Sequence, residues 1–485
     1  MKKLLLLLTL FMGTISTRAL VIPEIFSDNM VLQQNAEAKL WGWAVPNSVV
    51  EISVSWNNQK LYRTADAEGR WDVAVKTPAA TYDPQTVTIK ELAEKKNKVL
   101  SEQTLSNVLI GEVWFCSGQS NMEMPLGGFW NCPVEGANEA IAQSGKYKKS
   151  IRVATIAKDG KQTPQKWVAG KWDICEPKNA SKFSAVGYFF ATTLADMLDV
   201  PVGIINCSWG GSCVEGWLPK EILETYPDGL VPFNPYDYMQ KMVMYNGMLH
   251  PLAGYTVKGF LWNQGESNIG REGEYAGRFK TMVNLWRKMW NQPGDKLPIY
   301  TVELPPYWYD DVNGFNGPKF RDVQHQIAKE LDNCGCVCTS DLIYEYEPKQ
   351  IHGTKKKEIG QRLAYMALTR DYGVEGVAAE APEFEYMEAH EIGVYHLYFK
   401  NADDGFDRLS DIENFEAQGA DGQWHKATVW ADSEWQNVKR QGCFLKLTCP
   451  EAGEVKNVRY CYRNFIPGKL HGMRGLPVVP FTTER

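Results

Sequence analysis

The first part of the chain, from Leu20 to about Gln103, alternates hydrophobic and polar positions in short runs that are separated by turn residues. A period of two places one face of an extended strand against a core and the other face against water. The pattern therefore predicts a small antiparallel β-domain over residues 20–104, with strands at Leu40–Trp43, Val49–Val54, Trp71–Val75 and Val87–Ile89.

From about Leu105 the pattern changes to short apolar runs separated by long segments with helical periodicity. This order is typical of an α/β fold, in which helices cover a parallel sheet. We predict such a domain over residues 105–372. Its strands are expected at Val108–Phe115, Val202–Cys207, Val257–Trp262, Pro298–Leu304 and Cys334–Asp341, and its helices around Val186–Leu198, Tyr275–Trp290, Val323–Leu331 and Ile359–Ala367.

After about Tyr372 the alternation of hydrophobic and polar positions returns. It predicts a second β-domain over residues 373–485, with strands at Tyr395–Phe399, Thr428–Ala431, Phe444–Leu447 and Val458–Tyr462.

Residues 1–19 have the pattern of a secretory signal peptide: the basic pair Lys2 and Lys3, an apolar stretch from Leu4 to Met12, and small residues at Thr17 and Ala19. No cysteine follows Ala19 to take a lipid, and no later apolar run is long enough to cross a bilayer. We therefore expect an exported protein, periplasmic or extracellular, without a membrane partner.

Composition narrows the choice of partner further. The 485 residues carry a net charge of −6 at pH 7, and this acidity is spread along the chain. Nucleic acids and anionic lipids are bound by clustered basic residues, so neither is an expected partner. The charge pattern favours a small or neutral ligand over a nucleic acid or an anionic lipid.

The 11 cysteines are odd in number, so at least one thiol cannot pair within the chain. Cys334, Cys336 and Cys338 alternate along one predicted strand, where an unpaired cysteine behaves as a small hydrophobic residue. Zinc sites use a different cysteine spacing and usually a nearby histidine, so we predict no metal.

Candidate chemistry lies in the loops after the strands, because ligands of open parallel sheets bind beyond the carboxyl ends of the strands. The first strand leads into CSGQSNMEMP, the second into SWGGSCVEGW and the third into NQGESN. In the first loop, Ser120 follows its strand in a tight turn that would expose its hydroxyl. A serine in such a turn is more often a helix cap than a nucleophile, so the hypothesis needs a base.

His352 supplies that base. Of the seven histidines, only His352 lies beyond the carboxyl end of a predicted sheet strand and just before a helix. A serine and a histidine that meet at this edge can carry out acyl transfer, provided that donors stabilise the oxyanion. The Gly210-Gly211 pair offers backbone N–H groups there, and either Gln264 or Asn263 offers a side-chain amide.

These blocks resemble those of SGNH-type hydrolases, in their sialate O-acetylesterase branch. The resemblance is carried by GQSNM at 118–122, SWGGS at 208–212, WNQGESN at 262–268 and IH at 351–352, and extends to PEIFSDNMVLQQ at 23–34 and GLPVVPFTT at 475–483. It implies a three-layer α/β/α hydrolase domain between two β-domains, acting on O-acetylated sialic acid or a related sugar without metal or cofactor. By the same resemblance Ser120 is the nucleophile, His352 the base, and Gly211 and Gln264 the oxyanion donors.

One departure from that family concerns the group that orients the histidine. An Asp is usual two or three residues before it, but Lys349 and Gln350 stand there. Such a group fixes the imidazole tautomer. Three arrangements would replace it: Glu347 or Glu345 from the preceding loop, a backbone carbonyl, or a Ser-His dyad without a third member.

The sequence leaves the substrate open. An esterase for acetylated xylan or another polysaccharide, and a carbohydrate-binding protein with a decayed active site, are the alternatives to a sialate O-acetylesterase. Trp130, Trp217 and Trp308 are candidates for stacking on a sugar. Arg271 and Lys355 are candidates for binding a sugar acid, and Asn263 is a further substrate-binding candidate.

Overall fold

The computed structural model describes residues 20–484, except 58, 97, 232–235, 237–239, 293–295, 410–411 and 437–438. The predicted signal peptide lies outside the described residues. Within them, a central and mostly parallel sheet is accompanied by further β-sheets, which makes the protein a mixed α/β structure.

Within the described residues, the central sheet is the seven-stranded part of an 11-stranded sheet and has the order β13-β12-β11-β7-β10-β8-β9. All neighbours are parallel except β8 and β9. The strands are β7 (Val99–Gly118), β8 (Ile151–Thr155), β9 (Trp172–Ile174), β10 (Val202–Ser208), β11 (Gly259–Asn263), β12 (Ile299–Val302) and β13 (Cys334–Val337). All five predicted strands of the parallel sheet are present, whereas β8 and β9 were not predicted because they are short and interrupted by polar residues.

Helices pack on both faces of this sheet. Neighbouring residues of a strand point to opposite faces, so Trp114 packs with residues of α4 and α8, while Phe115 packs with residues of α6 and α7. The helices are α1 (Ser120–Glu123), α2 (Ala137–Gln143), α3 (Pro177–Ala180), α4 (Ala185–Leu198), α5 (Lys220–Leu223), α6 (Glu272–Trp290), α7 (Asn316–Glu330) and α8 (Lys356–Asp371).

The N-terminal β-region is joined to the central sheet by β7, which is 20 residues long. The first part of β7 pairs antiparallel with β6, and its second part pairs parallel with β10 and β11. The predicted boundary between residues 104 and 105 therefore falls inside one strand. The other strands of the region are β1 (Val31–Gln33), β2 (Glu37–Trp43), β3 (Val49–Val54), β4 (Lys60–Thr64), β5 (Arg70–Lys76) and β6 (Thr81–Leu92).

The C-terminal β-region has two four-stranded sheets, β14-β15-β19-β18 and β17-β16-β20-β21. Their inner faces form a separate hydrophobic cluster that includes Leu397, Phe415 and Leu445. The strands are β14 (Glu383–Glu391), β15 (Val394–Lys400), β16 (Phe415–Gln418), β17 (Trp424–Lys426), β18 (Thr428–Gln436), β19 (Lys439–Thr448), β20 (Asn457–Tyr460) and β21 (Phe481–Thr482). Across the described ranges, no helix has the length and apolar character needed to cross a membrane.

Candidate active site

Ser120 lies at the carboxyl end of β7, in the sharp turn that leads into α1. Gly118 makes this turn possible: its φ is +132°, and a Cβ there would lie 2.2 Å from the carbonyl oxygen of Asn263. The N–H of Gln119 donates to that carbonyl oxygen over 3.0 Å. The turn thus places a half-buried serine at the sheet edge, as expected. Within the described structure the N–H of Ser120 has no acceptor.

The loop after β10 packs directly against Ser120. A Cβ on Gly210 would lie 3.3 Å from the Cβ of Ser120, so a larger residue would crowd the serine. The N–H of Gly210 donates to Oε2 of Glu123 over 2.5 Å, and Oε1 of Glu123 accepts from Lys158 over 2.6 Å. Gly211 has a φ of +77°, and its N–H has no acceptor among the residues that the structure describes. Gly211, rather than Gly210, is therefore available to an oxyanion.

For the side-chain amide that would donate to the oxyanion, the structure favours Asn263 over Gln264, the residue implied by the family resemblance. Gln264 is fully buried, and its Nε2 donates to the carbonyl of Ser212 over 3.1 Å and to Oδ1 of Asn268 over 2.8 Å. Both hydrogens of that amide are used, so Gln264 has none left for an oxyanion. Asn263 is the last residue of β11, pairs with Gly118, and carries a buried Nδ2 without an acceptor. Asn263 is thus the amide that remains free to donate.

His352 lies in the loop between β13 and α8, and a hydrogen bond ties this loop to the serine turn. Nδ2 of Asn121, the residue after Ser120, donates to the carbonyl of Ile351, the residue before His352, over 3.1 Å. No hydrogen bond joins Ser120 to His352 in the described chain. In proteins without bound substrate such catalytic bonds are often long.

Of the three arrangements considered for orienting the imidazole, the carboxylate is the one that the structure does not favour. Oε2 of Glu347 accepts from the N–H of Tyr344, Glu345 pairs with Lys469, and Asp341 pairs with Arg362. In the described structure none of these three acids contacts the imidazole of His352, which contradicts Glu347 as the orienting group. The neighbour of the imidazole is instead a thiol, with Sγ of Cys132 3.7 Å from Nδ1 of His352. The sequence gives no sign of this contact, because the two residues are 220 positions apart.

The surroundings of His352 favour its neutral form. Burial, reinforced by the positive charge of Lys356, lowers the pKa of His352 to about 4. Lys356 is itself buried at the start of α8, where burial lowers its pKa to about 8, and its Nζ donates to Oδ1 of Asn121 over 2.6 Å. A neutral imidazole at pH 7 can accept a proton, as a general base must.

The three tryptophans that are candidates for sugar binding differ in how exposed they are. Trp217 is fully buried against Trp262, so it belongs to the core. Trp308 is half-buried, with Nζ of Lys349 4.5 Å above its ring. Trp130 is 89% exposed and stands at the tip of a hairpin that reaches His352, whose ring contacts that of Phe129 at 5.3 Å between centroids.

The two candidate cations are both engaged. A guanidinium nitrogen of Arg271 lies 3.1 Å from Oε1 of the buried Glu215, and the side chain also reaches the carbonyl of Ser267. Nζ of Lys355 lies 4.2 Å above the ring of Tyr344 and donates to the carbonyl of Asp341.

The three alternating cysteines pack as side chains of a strand and the loop that follows it. Cys334 and Cys338 are buried, and the thiol of Cys338 donates to Oε1 of Glu303 over 3.1 Å. Within the described residues, no disulfide joins two cysteines. In the part of the chain that the structure describes, no group of three or more His, Cys, Asp or Glu side chains is arranged to hold a metal ion.

The chain is similar to known proteins in sequence and in fold. The family model described as "Carbohydrate esterase, sialic acid-specific acetylesterase" matches residues 110–369, which is more than half of the chain. The sialate O-acetylesterases of Pongo abelii and Homo sapiens are each 28% identical to this chain, over 75% of its length and 73% of theirs. A crystal structure of a carbohydrate acetylesterase from Xanthomonas citri is 27% identical, with a TM-score of 0.80 over 96% of this chain and 100% of that one. The chain therefore belongs to the sialic acid-specific acetylesterase family of carbohydrate esterases and is an ester hydrolase.

Proposed function

We propose that this protein removes O-acetyl groups from sialic acids, through an acyl-enzyme on Ser120 with His352 as the base. The observation that carries the proposal is the set of unused donors around Ser120: its own N–H, the N–H of Gly211 and the amide of Asn263. The Asn263 amide is buried, and a buried donor without an acceptor costs stability unless a ligand uses it. The N–H groups of Ser120 and Gly211 belong to half-buried residues. A tetrahedral oxyanion is the ligand that these three donors together fit.

In the first step, Nε2 of His352 takes the proton of the Ser120 hydroxyl while its oxygen attacks the acetyl carbonyl carbon. The carbonyl oxygen becomes an oxyanion, which accepts hydrogen bonds from Ser120, Gly211 and Asn263. The intermediate then collapses, the bond to the sugar oxygen breaks, and the imidazolium returns its proton to the departing sugar alcohol. Ser120 is left as an acetyl ester.

In the second step, water attacks the acetyl-enzyme. His352 takes a proton from the water, the same donors hold the second oxyanion, and Ser120 leaves with the proton from the imidazolium. Acetate is released and the enzyme is regenerated. No step draws on a metal or cofactor.

The unit that carries this chemistry is, in our proposal, a three-layer SGNH-type domain over residues 105–372, between β-domains at 20–104 and 373–485. The packing of α4 with α8 on one face and of α6 with α7 on the other supports the three layers. We further propose that residues 1–19 direct export, to the periplasm or the medium, where acetylated glycans are found.

Sialic acids carry a carboxylate, so a cation near the site would favour them. Arg271 and Lys355 are the candidates, although the charge of Arg271 is already offset by Glu215. The Xanthomonas citri protein is a carbohydrate acetylesterase, a name that specifies no particular sugar. A polysaccharide acetylesterase is therefore the second candidate, and the exposed Trp130 favours it because aromatic rings stack on sugars.

The deciding experiment measures acetate release by the purified protein from O-acetylated sialic acid and from acetylated xylan, with Ser120→Ala as the control. We expect faster release from the sialic acid and a loss of at least a thousandfold in Ser120→Ala. Faster release from xylan would favour the second candidate. Near-normal activity of Ser120→Ala would exclude the mechanism. Absence of any hydrolysis of an aryl acetate, with sugar binding retained, would identify a decayed enzyme.

A further inference from the structure

The contacts of Cys132 form a short chain that ends at the imidazole. The thiol of Cys132 donates to Oε1 of Gln350 over 3.4 Å, and its Sγ lies 3.7 Å from Nδ1 of His352. The same Oε1 accepts from the backbone N–H of His352 over 3.4 Å. Gln350 lies two residues before His352, where SGNH-type hydrolases usually carry an Asp. The side chain that replaces this Asp therefore holds the thiol of Cys132.

We propose that Cys132, held by Gln350, is the positioning residue of His352 and fixes the imidazole in the tautomer that can deprotonate Ser120. This inference rests on the proposed Ser120–His352 mechanism and adds the group that the mechanism lacked. Cys132 does not touch substrate or reacting atoms, so its role is exerted through His352.

The direction of the thiol proton decides the tautomer. A thiol has one hydrogen, and a sulfur atom can also accept a weak hydrogen bond. Because the carbonyl oxygen of the Gln350 amide can only accept, the thiol hydrogen points to it. The sulfur is then the acceptor for Nδ1–H of His352, which leaves Nε2 without a proton and ready to act as the base.

The hairpin that carries Cys132 holds the sulfur in place. Phe129 and Cys132 exchange backbone hydrogen bonds of 2.9 and 3.0 Å. Asn131, at the tip, has a φ of +57°, a conformation that asparagine tolerates well. Nε2 of Gln350 donates to the carbonyl of Asn131 over 3.4 Å, so Gln350 binds both the backbone and the thiol of this hairpin.

A neutral thiol differs from a carboxylate in its effect on charge. It orients the ring but provides no negative charge for the imidazolium, and the charge that acts on the pKa of the ring is the positive charge of Lys356. Loss of the thiol should therefore cost about three- to tenfold in kcat, the range of one neutral hydrogen bond, and far less than loss of a triad acid.

Three substitutions of one side chain test the proposal, with an aryl acetate as substrate. Cys132→Ala should lower kcat about three- to tenfold with KM nearly unchanged. Cys132→Ser, which keeps a donor and an acceptor, should recover part of that loss. Cys132→Asp should raise the pH at which half of kcat/KM is lost, because a carboxylate beside the ring favours the imidazolium. Cys443→Ala, in the C-terminal β-region, is the matched control and should behave as the wild type.

A measurement that needs no turnover completes the test. The imidazole nitrogen NMR signals of His352, identified by their absence in His352→Ala, report which nitrogen carries the proton. We expect Nδ1–H in the wild type and a mixture of tautomers in Cys132→Ala. An unchanged tautomer, or a Cys132→Ser variant no better than Cys132→Ala, would overturn the role of Cys132. An active Ser120→Ala variant would instead overturn the proposed function, so the two failures are distinguishable.

Discussion

The two loops around Ser120 are held by backbone N–H groups that donate over 2.5–3.0 Å to a carbonyl oxygen and to the carboxylate of Glu123, whereas His352 is held through sulfur and amide contacts of 3.4 and 3.7 Å. The nucleophile half of the site, which is Ser120 with its donors, is fixed by Glu123, by the register of β7 with β11 and by the positive φ of Gly118. The base half, which is His352 with its neighbours, is fixed by the thiol of Cys132 and by Gln350. Oriented donors stabilise developing charge only if they do not move, while a neutral base needs only the correct tautomer and access.

This difference ranks the expected effects of mutation. Changes to the nucleophile half should reduce kcat strongly, because they remove stabilisation that exists only in the transition state. Changes to the base half should reduce kcat less and should alter its pH dependence.

The largest of these effects is expected for Asn263→Leu, which keeps the size of the side chain and removes the amide donor. We predict a fall in kcat of about 100- to 1,000-fold, the usual cost of one oxyanion donor. Thermal stability should be retained or increased, because a buried and unpaired N–H disappears. Steady-state kinetics with an aryl acetate and a thermal melt measure both.

Gln264→Leu is the matched comparison for Asn263. Its amide holds Ser212 and Asn268, so its loss should lower the melting temperature as well as activity. If Gln264→Leu reduced kcat by more than Asn263→Leu while melting as the wild type, the assignment of the two amides would be reversed.

Glu123→Ala should have an intermediate effect. It removes the acceptor that holds the Gly210 N–H, so the neighbouring Gly211 donor loses its fixed position, and we expect kcat to fall about tenfold. Lys158→Met breaks only the partly exposed ion pair with Glu123 and should change kcat less than twofold. Equal effects of the two changes would show that the ion pair, and not the backbone contact, holds the loop.

Lys356→Met tests the base half through its pH dependence. The imidazole must be neutral to act, so activity of the wild type should fall as pH decreases through the pKa of His352, about 4. Removing the positive charge leaves burial as the main cause of the low pKa. The acid limb of kcat/KM should therefore move upward by at most about one pH unit. The control Lys357→Met, on the exposed neighbour, should leave the profile unchanged.

Trp130→Ala should have the smallest effect and should appear mainly with sugar esters. Removal of one stacking ring should lower kcat/KM by about two- to tenfold more for an acetylated oligosaccharide than for an aryl acetate. Trp167→Ala, another exposed tryptophan that packs on Trp43, is the control. Equal losses with both substrates would mean that Trp130 supports the hairpin instead of binding sugar.

Much of the fold could be predicted because periodicity reports local structure. The predicted strands that end near Ser120, Gly210 and Asn263 are present, since long apolar runs followed by polar loops have one plausible arrangement in a parallel sheet. The extent of β7 could not be predicted. Its N-terminal part is mostly exposed and its C-terminal part buried, so the change of pattern looked like a boundary between domains.

For the candidate site, the sequence indicated the local position of single residues but not the contacts between distant loops. The position of Ser120 follows from its own turn. Which of Asn263 and Gln264 stays free depends on Asn268, which binds one of them across the next turn. The partner of His352 comes from a hairpin before the second strand of the sheet, and nothing in the sequence around Cys132 or Gln350 indicates that they meet.

The length of β7 has a consequence for how this molecule can be divided. The same strand closes the N-terminal β-region and ends two residues before Ser120, and its buried residues from Leu105 to Phe115 contribute to a hydrophobic cluster that both regions share. A fragment that begins at residue 105 would start in the middle of a strand and expose the edge of that cluster. Residues 20–372 should therefore be kept together, as one cooperative folding unit, in recombinant expression and in module exchange. A cut before the C-terminal sheets is the better choice, because these sheets have their own core.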